Sequence, residues 1–428
     1  SAASEGVQAL RGYVATGLVE EKTSTGVRCF SANFFQHLRN RIAEVPVPAG
    51  SSPVPFTGGY VGYLGYGMKG AVGIGRAGSG VRPDAELMRV DRFVAFDHEL
   101  GRRYLVTVGV PEAESTAWFA QVREHALRLS TSPAPAQPYP GGGLSAVSAT
   151  VDQDTYLRHF DEVQRWLRDG DSYEACYTYQ VTARSGEHPY PAYQRLRRQN
   201  PAPYAAYLRF GNRSVLSSSP ERFVTVTGDR WVETKPIKGT AARHPDPATD
   251  AAVSAALAAD EKIRSENLMI TDLLRNDLGR LCDVGTVHVP HLMAVESYAT
   301  VHQVVTTIRG RLRPEFDGVG CVAGLFPGGS MTGAPKKRTV ELLDDLEPAE
   351  RGVYSGALGF FGYDGQVDQS IIIRTIVWED DRLCIGVGGA LIVMSDPDEE
   401  YEETKLKLRA LLRALDPSAE SAATARAG

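Results

Sequence analysis

The sequence predicts an α+β or layered α/β fold, on three observations. Strand-like apolar runs are frequent, helix-like segments interrupt them irregularly, and no repeat of fixed period organises either. Such irregular alternation argues against a TIM barrel and against a simple Rossmann fold. With 428 residues, 43% of them hydrophobic, the chain is long enough for one large core or two ordinary ones.

The elements follow in order. Residues 1–50 read weakly, although FSANFFQHLRNRIAEV has helical spacing. GGYVGYLGYG at 58–67 alternates glycine with aromatic and apolar residues; no GK[ST] follows it, so it reads as packing glycines in a strand rather than a phosphate loop. Residues 89–97 and 103–108 read as strands and 112–130 as a helix. TSPAPAQPYPGGG at 131–143 has the composition of a linker. Tyr156, Leu157, Phe160, Val163, Trp166 and Leu167 then form a helical stripe that Gly170 closes. Strands and turns continue through Thr240. A helix is expected over 260–280, strands over 285–290 and 301–310, and a helix over 335–345. Apolar strands at 354–361, 369–377 and 383–393 lead to a charged helix over 398–415.

A net charge of −6 argues against a nucleic-acid binder. No apolar run reaches 18 residues, so no transmembrane span is expected. The five cysteines are scattered and form no CxxC pair, which suggests neither a zinc site nor a disulfide framework and points to a cytoplasmic setting.

Several residues stand out chemically. In TKPIKGT at 234–240, Lys238 lies between a rigid proline and a permissive glycine; it is either a surface cation or a desolvated amine able to act as a nucleophile. In SENLMITDLLRNDLGRL, Glu266 shares a broad helical face with Met269, Ile270 and Leu273, as a solvated edge residue or as a pocket carboxylate. In SDPDEEYEETKLKLRALL, Glu400, Glu403 and Lys407 share a face. They form a solvated charged surface or, with Glu266, a hard-oxygen magnesium site. GLFPGGSMTGAPKKR places glycines before a helix start, an arrangement that serves as a structural turn or binds a carboxylate. Arg374, inside the apolar run SIIIRTIV, needs a protein acid or a substrate carboxylate as partner. His302 in TVHQVV is a core histidine or a proton donor and acceptor.

Together SSPERF, KPIKGT, ENLMITDLLRNDLG, FPGGSMTGAPK, IIIRT and DEEYEETKLK resemble, in order, the chorismate-utilising enzyme family. That family includes anthranilate synthase component I, aminodeoxychorismate synthase component I, isochorismate synthase and salicylate synthase. The resemblance implies two associated β-sheet halves surrounded by helices. It divides the chain into a divergent or truncated amino-terminal part (1–130), a linker-like segment (131–147), a chorismate-binding catalytic region (148–415) and a flexible tail (416–428). It implies Mg2+ held by Glu266 and Glu403 with Glu400 close by, and catalytic roles for Lys238, Glu221 and His302. Tyr354, Arg374, Gly328, Gly329, Ser330, Thr240, Gly388, Gly389 and Lys407 would bind substrate.

PIKGT is similar to the aminodeoxychorismate branch, whereas anthranilate synthases commonly resemble PIAGT. The implied reaction joins chorismate and ammonia into 4-amino-4-deoxychorismate, for folate or an amino-aryl natural product through 4-aminobenzoate. Isochorismate and salicylate synthases carry a water-activating lysine where this chain has Glu174, which argues against water attack. A glutamine amidotransferase, as subunit or fused domain, is the implied ammonia source. NPAPY at 200–204 resembles a tryptophan-lining segment, which leaves tryptophan binding open. Ile263 stands where relatives often have a polar or acidic residue. The competing expectations are anthranilate synthase component I and a non-catalytic ligand-binding homologue.

Overall fold

The computed structural model describes residues 8–47, 52–130, 142–298 and 301–416. Among them, a 12-stranded and a 7-stranded antiparallel sheet carry the fold, with a separate two-stranded ribbon. Nine α-helices among the described residues surround the sheets: α1 (Phe34–Ala43), α2 (Glu112–Ser130), α3 (Gln153–Asp169), α4 (Pro189–Gln199), α5 (Pro247–Ala259), α6 (Glu261–Gly279), α7 (Gly318–Leu325), α8 (Lys336–Leu346) and α9 (Pro397–Leu415). The expected architecture of two sheets surrounded by helices is what the chain adopts.

Local chemistry sets the helix ends. Asp152, Asp260 and Asp396 cap α3, α6 and α9 by accepting backbone N–H groups of the first turn. Gly170 ends α3 in the left-handed conformation, at φ 79°. The stripe on α3 buries Tyr156, Phe160, Val163, Trp166 and Leu167 against the smaller sheet.

Each sheet has its own apolar core, one for each of the two largest clusters of buried residues. A third, smaller cluster joins them: Tyr63 and Leu358 of the larger sheet meet Leu208, Phe210 and Val215 of the smaller. The glycines of GGYVGYLGYG do pack a strand, Gly59–Leu64. A Cβ at Gly59 would stand 2.0 Å from the carbonyl oxygen of Phe361, and one at Gly62 2.1 Å from that of Glu86. This strand pairs with Ala357–Gly362, so the larger sheet draws strands from both sides of the linker-like segment.

Several expectations need correction. Three strands, Ala9–Tyr13, Leu18–Lys22 and Val27–Ser31, occupy the weakly read opening and form one end of the larger sheet. Residues 131–141 of the linker-like segment lie outside the described residues, but its last part enters the strand Ser145–Ala149. Residues 417–428 of the expected tail also lie outside them. The single strand expected over 369–377 is two strands. Val367–Ile371 belongs to the larger sheet and Thr375–Glu379 to the smaller, so the chain crosses between sheets at Ile372–Arg374. Helix α5 stands where no helix was expected.

Candidate active site

A cavity of about 590 Å³ opens where the two sheets meet α6 and α9. Lys238, Glu221, Thr240, Glu266, Ser330, Tyr354, Arg374, Gly388, Gly389, Glu400, Glu403 and Lys407 all line it.

Lys238 lies on the edge strand Ile237–Ala242 of the larger sheet. Pairing with Val301–Arg311 slips between Ile237 and Thr240, a bulge that re-aims the intervening side chains. Gly239 adopts φ 86°, and a Cβ there would lie 2.7 Å from Cγ2 of Ile263. Glycine thus lets the strand approach α6 closely, and the apolar Ile263 fills the contact. The Lys238 ammonium donates to Oε1 of Glu174 at 2.6 Å and lies 3.8 Å from Oε2 of Glu266. Burial alone would lower its pKa, but Glu174 and Glu266 outweigh burial and hold the ammonium above the usual lysine range. Glu174 begins the strand Glu174–Arg184 of the smaller sheet, so this ion pair spans the two sheets. The other oxygen of Glu174, Oε2, is buried and lacks a hydrogen-bond partner among the described residues.

Glu221 sits in the turn between Arg213–Ser219 and Arg222–Val226. Burial pushes its carboxyl up to about 7, against the hydrogen bond from Ser330 and the charges of Lys238, Lys407 and Arg374. A carboxyl so placed carries its proton for a large fraction of molecules near neutrality.

Arg374 lies at the crossing between sheets with φ 49°, left-handed for a residue that has a Cβ. Among the described residues its guanidinium has neither a hydrogen-bond nor an ion-pair partner. Burial lowers its pKa, and Glu403 and Glu221 contribute to keeping it charged. A strained, unpaired guanidinium facing a cavity is suited to grip an anion. Tyr354 rests on the strand Arg382–Leu391 at Gly386, where a Cβ would come within 2.1 Å of its ring. Lys407 donates to the carbonyl of Gly388 at 2.9 Å and pairs with Glu403 at 2.7 Å.

Glu266, Glu400 and Glu403 are hard-oxygen donors around one space and fit Mg2+ in chemistry. Glu266 is raised to about 7 by burial, with Glu174 and Glu400 adding to the shift and Lys238 and Lys262 opposing it. A Cβ at Gly389 would fall 3.2 Å from Oε2 of Glu400, so the glycine leaves room beside that carboxylate. Yet no three acids converge into a metal-holding group among the described residues. Each is matched with a lysine: Glu266 with Lys238, Glu400 with Lys262 at 2.7 Å, and Glu403 with Lys407.

Three expected residues lie off the lining. His302 Nε2 meets Oδ1 of Asp250 at 2.9 Å and its Nδ1 meets Ser297 at 2.7 Å, so both ring nitrogens are engaged outside the cavity. A Cβ at Gly328 would meet Ile371 and one at Gly329 would meet Leu273, both core residues. Sequence reasoning missed Cys176, Gln303, Ile373 and Lys262 on the lining. For Lys262 the signal was available, since it stands one turn before Glu266 on the same helix. In NPAPY, the Tyr204 hydroxyl accepts from Arg222 Nε at 2.6 Å, beside a second cavity of about 280 Å³.

A family model described as chorismate binding enzyme matches residues 2–413. The chain is 48% identical over 394 residues to the aminodeoxychorismate synthase of Streptomyces pristinaespiralis, covering 89% of this chain and 54% of that protein. It is 37% identical to anthranilate synthase component 1 of Streptomyces coelicolor (strain ATCC BAA-471 / A3(2) / M145), covering 88% of this chain and 76% of that one. The crystal structure of anthranilate synthase component I from Streptococcus pneumoniae TIGR4 superposes with a TM-score of 0.81 at 25% identity, covering 95% of this chain and 90% of that one. The chain spans about half the length of four curated aminodeoxychorismate synthases it matches. No helix among the described residues is long and apolar enough to cross a membrane.

Proposed function

The chain belongs to the chorismate-binding enzyme family, and from that premise we propose that it converts chorismate and ammonia to 4-amino-4-deoxychorismate. The observation that carries this reading is Lys238, a buried amine lining the cavity at the position where the anthranilate branch resembles PIAGT.

In the proposed course, Arg374 and Tyr354 receive the substrate and orient its ring. Lys238 gives a proton to Glu174, 2.6 Å away, and its amine attacks C2. The C4 hydroxyl departs as water with a proton from Glu221 as the ring double bond shifts. Ammonia then adds at C4, the double bond shifts back, and the Lys238 nitrogen leaves C2. Glu174 returns its proton to the freed Lys238 amine, the ammonium formed at C4 gives a proton to the Glu221 carboxylate, and the enolpyruvyl group is retained. Mg2+, when bound, would hold the ring carboxylate and offset its charge. Glu266, Glu400 and Glu403 are the residues that would hold it. Glutamine would enter through an amidotransferase, and the setting would be cytoplasmic, in keeping with five unpaired cysteines. The product would feed 4-aminobenzoate formation.

Anthranilate synthesis is the second reading, favoured by the 0.81 superposition. Incubation with chorismate, ammonium and Mg2+, with products separated, distinguishes the two. 4-Amino-4-deoxychorismate is expected, and anthranilate as the sole product would overturn the assignment. A parallel incubation with glutamine replacing ammonium is expected to give no product from this chain alone.

A further inference from the structure

Of the three lysines matched to the cavity acids, Lys262 differs from the other two. Lys238 is 9% exposed and locked between the sheets by Glu174, while Lys407 is anchored to the carbonyl of Gly388. Lys262, on α6, reaches across to α9 and places its ammonium 2.7 Å from Oε1 of Glu400. That oxygen also accepts the hydroxyl of Ser395 at 2.7 Å, and Glu400 is only 2% exposed. One monovalent cation thus stands on an oxygen of a deeply buried carboxylate of the cavity wall.

A magnesium ion approaches a carboxylate oxygen to about 2.1 Å. An ammonium hydrogen-bonded to the same oxygen would then face a divalent charge at close range, in a partly desolvated site. The two cations exclude each other at Glu400. Lys262 has the means to leave: its side chain is 26% exposed and its flexible stem can carry the ammonium into water.

We propose that Lys262 is an internal counter-ion that occupies Glu400 until a divalent cation displaces it, so that this lysine sets the metal affinity of the site and its tie between α6 and α9 opens when metal binds. The inference rests on the magnesium reading given above. It assigns to a residue of the cavity wall a positioning role: keeping a buried carboxylate neutralised and in place before the metal arrives.

The test uses the 428-residue chain with Mn2+ as the probe, its free concentration counted by electron paramagnetic resonance. Wild type, Lys262→Met and Lys262→Arg are compared, with folding checked by far-UV circular dichroism. Lys262→Met is expected to bind Mn2+ about tenfold more tightly than wild type, the lower end of what residues bordering metal ligands commonly contribute. Lys262→Arg, which keeps the charge, is expected to bind no more tightly than wild type. Equal or weaker binding by Lys262→Met overturns the proposal while leaving the magnesium reading intact. Wild-type protein that binds no Mn2+ and turns over chorismate in chelator overturns the magnesium reading, and this proposal with it. Should Lys262→Met fail to fold, Lys262→Gln is read by the same criteria.

Discussion

Ser330 Oγ donates a 2.5 Å hydrogen bond to Oε1 of Glu221, yet burial still pushes that carboxyl up from 4.5 to about 7. The raised value has a defined sign for stability. Between about pH 4.5 and 7 the native state holds a proton that the unfolded chain has released, so this group lowers stability as pH rises through that window. Glu221→Gln keeps an acceptor for Ser330 and removes the titration. Relative to wild type, the variant is expected to gain up to about 3 kcal/mol between pH 4.5 and 8. Urea unfolding of both proteins at the two pH values checks it; a constant difference would contradict the shift.

Removing Lys238 tests structure as well as chemistry. Lys238→Ala leaves Glu174, 1% exposed, without its counter-charge. A loss of about 3–5 kcal/mol is expected from breaking such a buried pair on one side. Adding Glu174→Gln should recover part of that stability, because a neutral amide is cheaper to bury. Neither variant should aminate chorismate. Denaturant unfolding and the ammonium-dependent product assay together separate the structural role from the nucleophilic one, and undiminished turnover by Lys238→Ala would remove the covalent step from the mechanism.

Arg374 should show the opposite pattern. Its guanidinium is part-buried without a hydrogen-bond or ion-pair partner among the described residues, on a backbone held at φ 49°. Arg374→Gln is therefore expected to leave stability within about 0.5 kcal/mol of wild type or to raise it. The KM for chorismate is expected to rise by at least about tenfold, the equivalent of one lost charge-assisted contact. Thermal unfolding and initial-rate kinetics give both numbers, and a destabilised variant with unchanged KM would point to a structural arginine.

Gly386→Ala probes the seat of Tyr354. The new Cβ would fall 2.1 Å from Cγ of the ring, so the tyrosine must move. The expected cost is about 1–3 kcal/mol, as for other overpacked sites. A raised KM for chorismate should accompany it if Tyr354 binds substrate. A normal melting temperature would show that the ring shifts freely.

Much of this architecture was legible in the sequence because its signals are local. Gly170 announces a helix end, and the stripe from Tyr156 to Leu167 names a buried face. The opening strands were illegible for a physical reason. Val27–Ser31 is mostly exposed at the sheet's edge, so no strong alternation marks it. The crossing at Ile372–Arg374 was hidden because both flanking strands are buried and the apolar run continues through the break. The pairing of Lys238 with Glu174 joins residues 64 apart on different sheets, a relationship no local pattern encodes. His302 was placed by resemblance, whereas the partners that turn it from the cavity, Asp250 and Ser297, belong to segments the sequence left unexplained.

The bond between Lys238 and Glu174 also restricts how a chain like this one can change its chemistry over generations. Replacing the lysine by alanine, the residue of the PIAGT pattern, strands a buried carboxylate. An ancestor passing between the two patterns would be expected to alter position 174 first, since glutamine there tolerates either neighbour while glutamate favours the lysine. The residue at position 238 and the integrity of the fold are thereby linked, and the order of substitutions along such a lineage becomes a physical question rather than a historical accident.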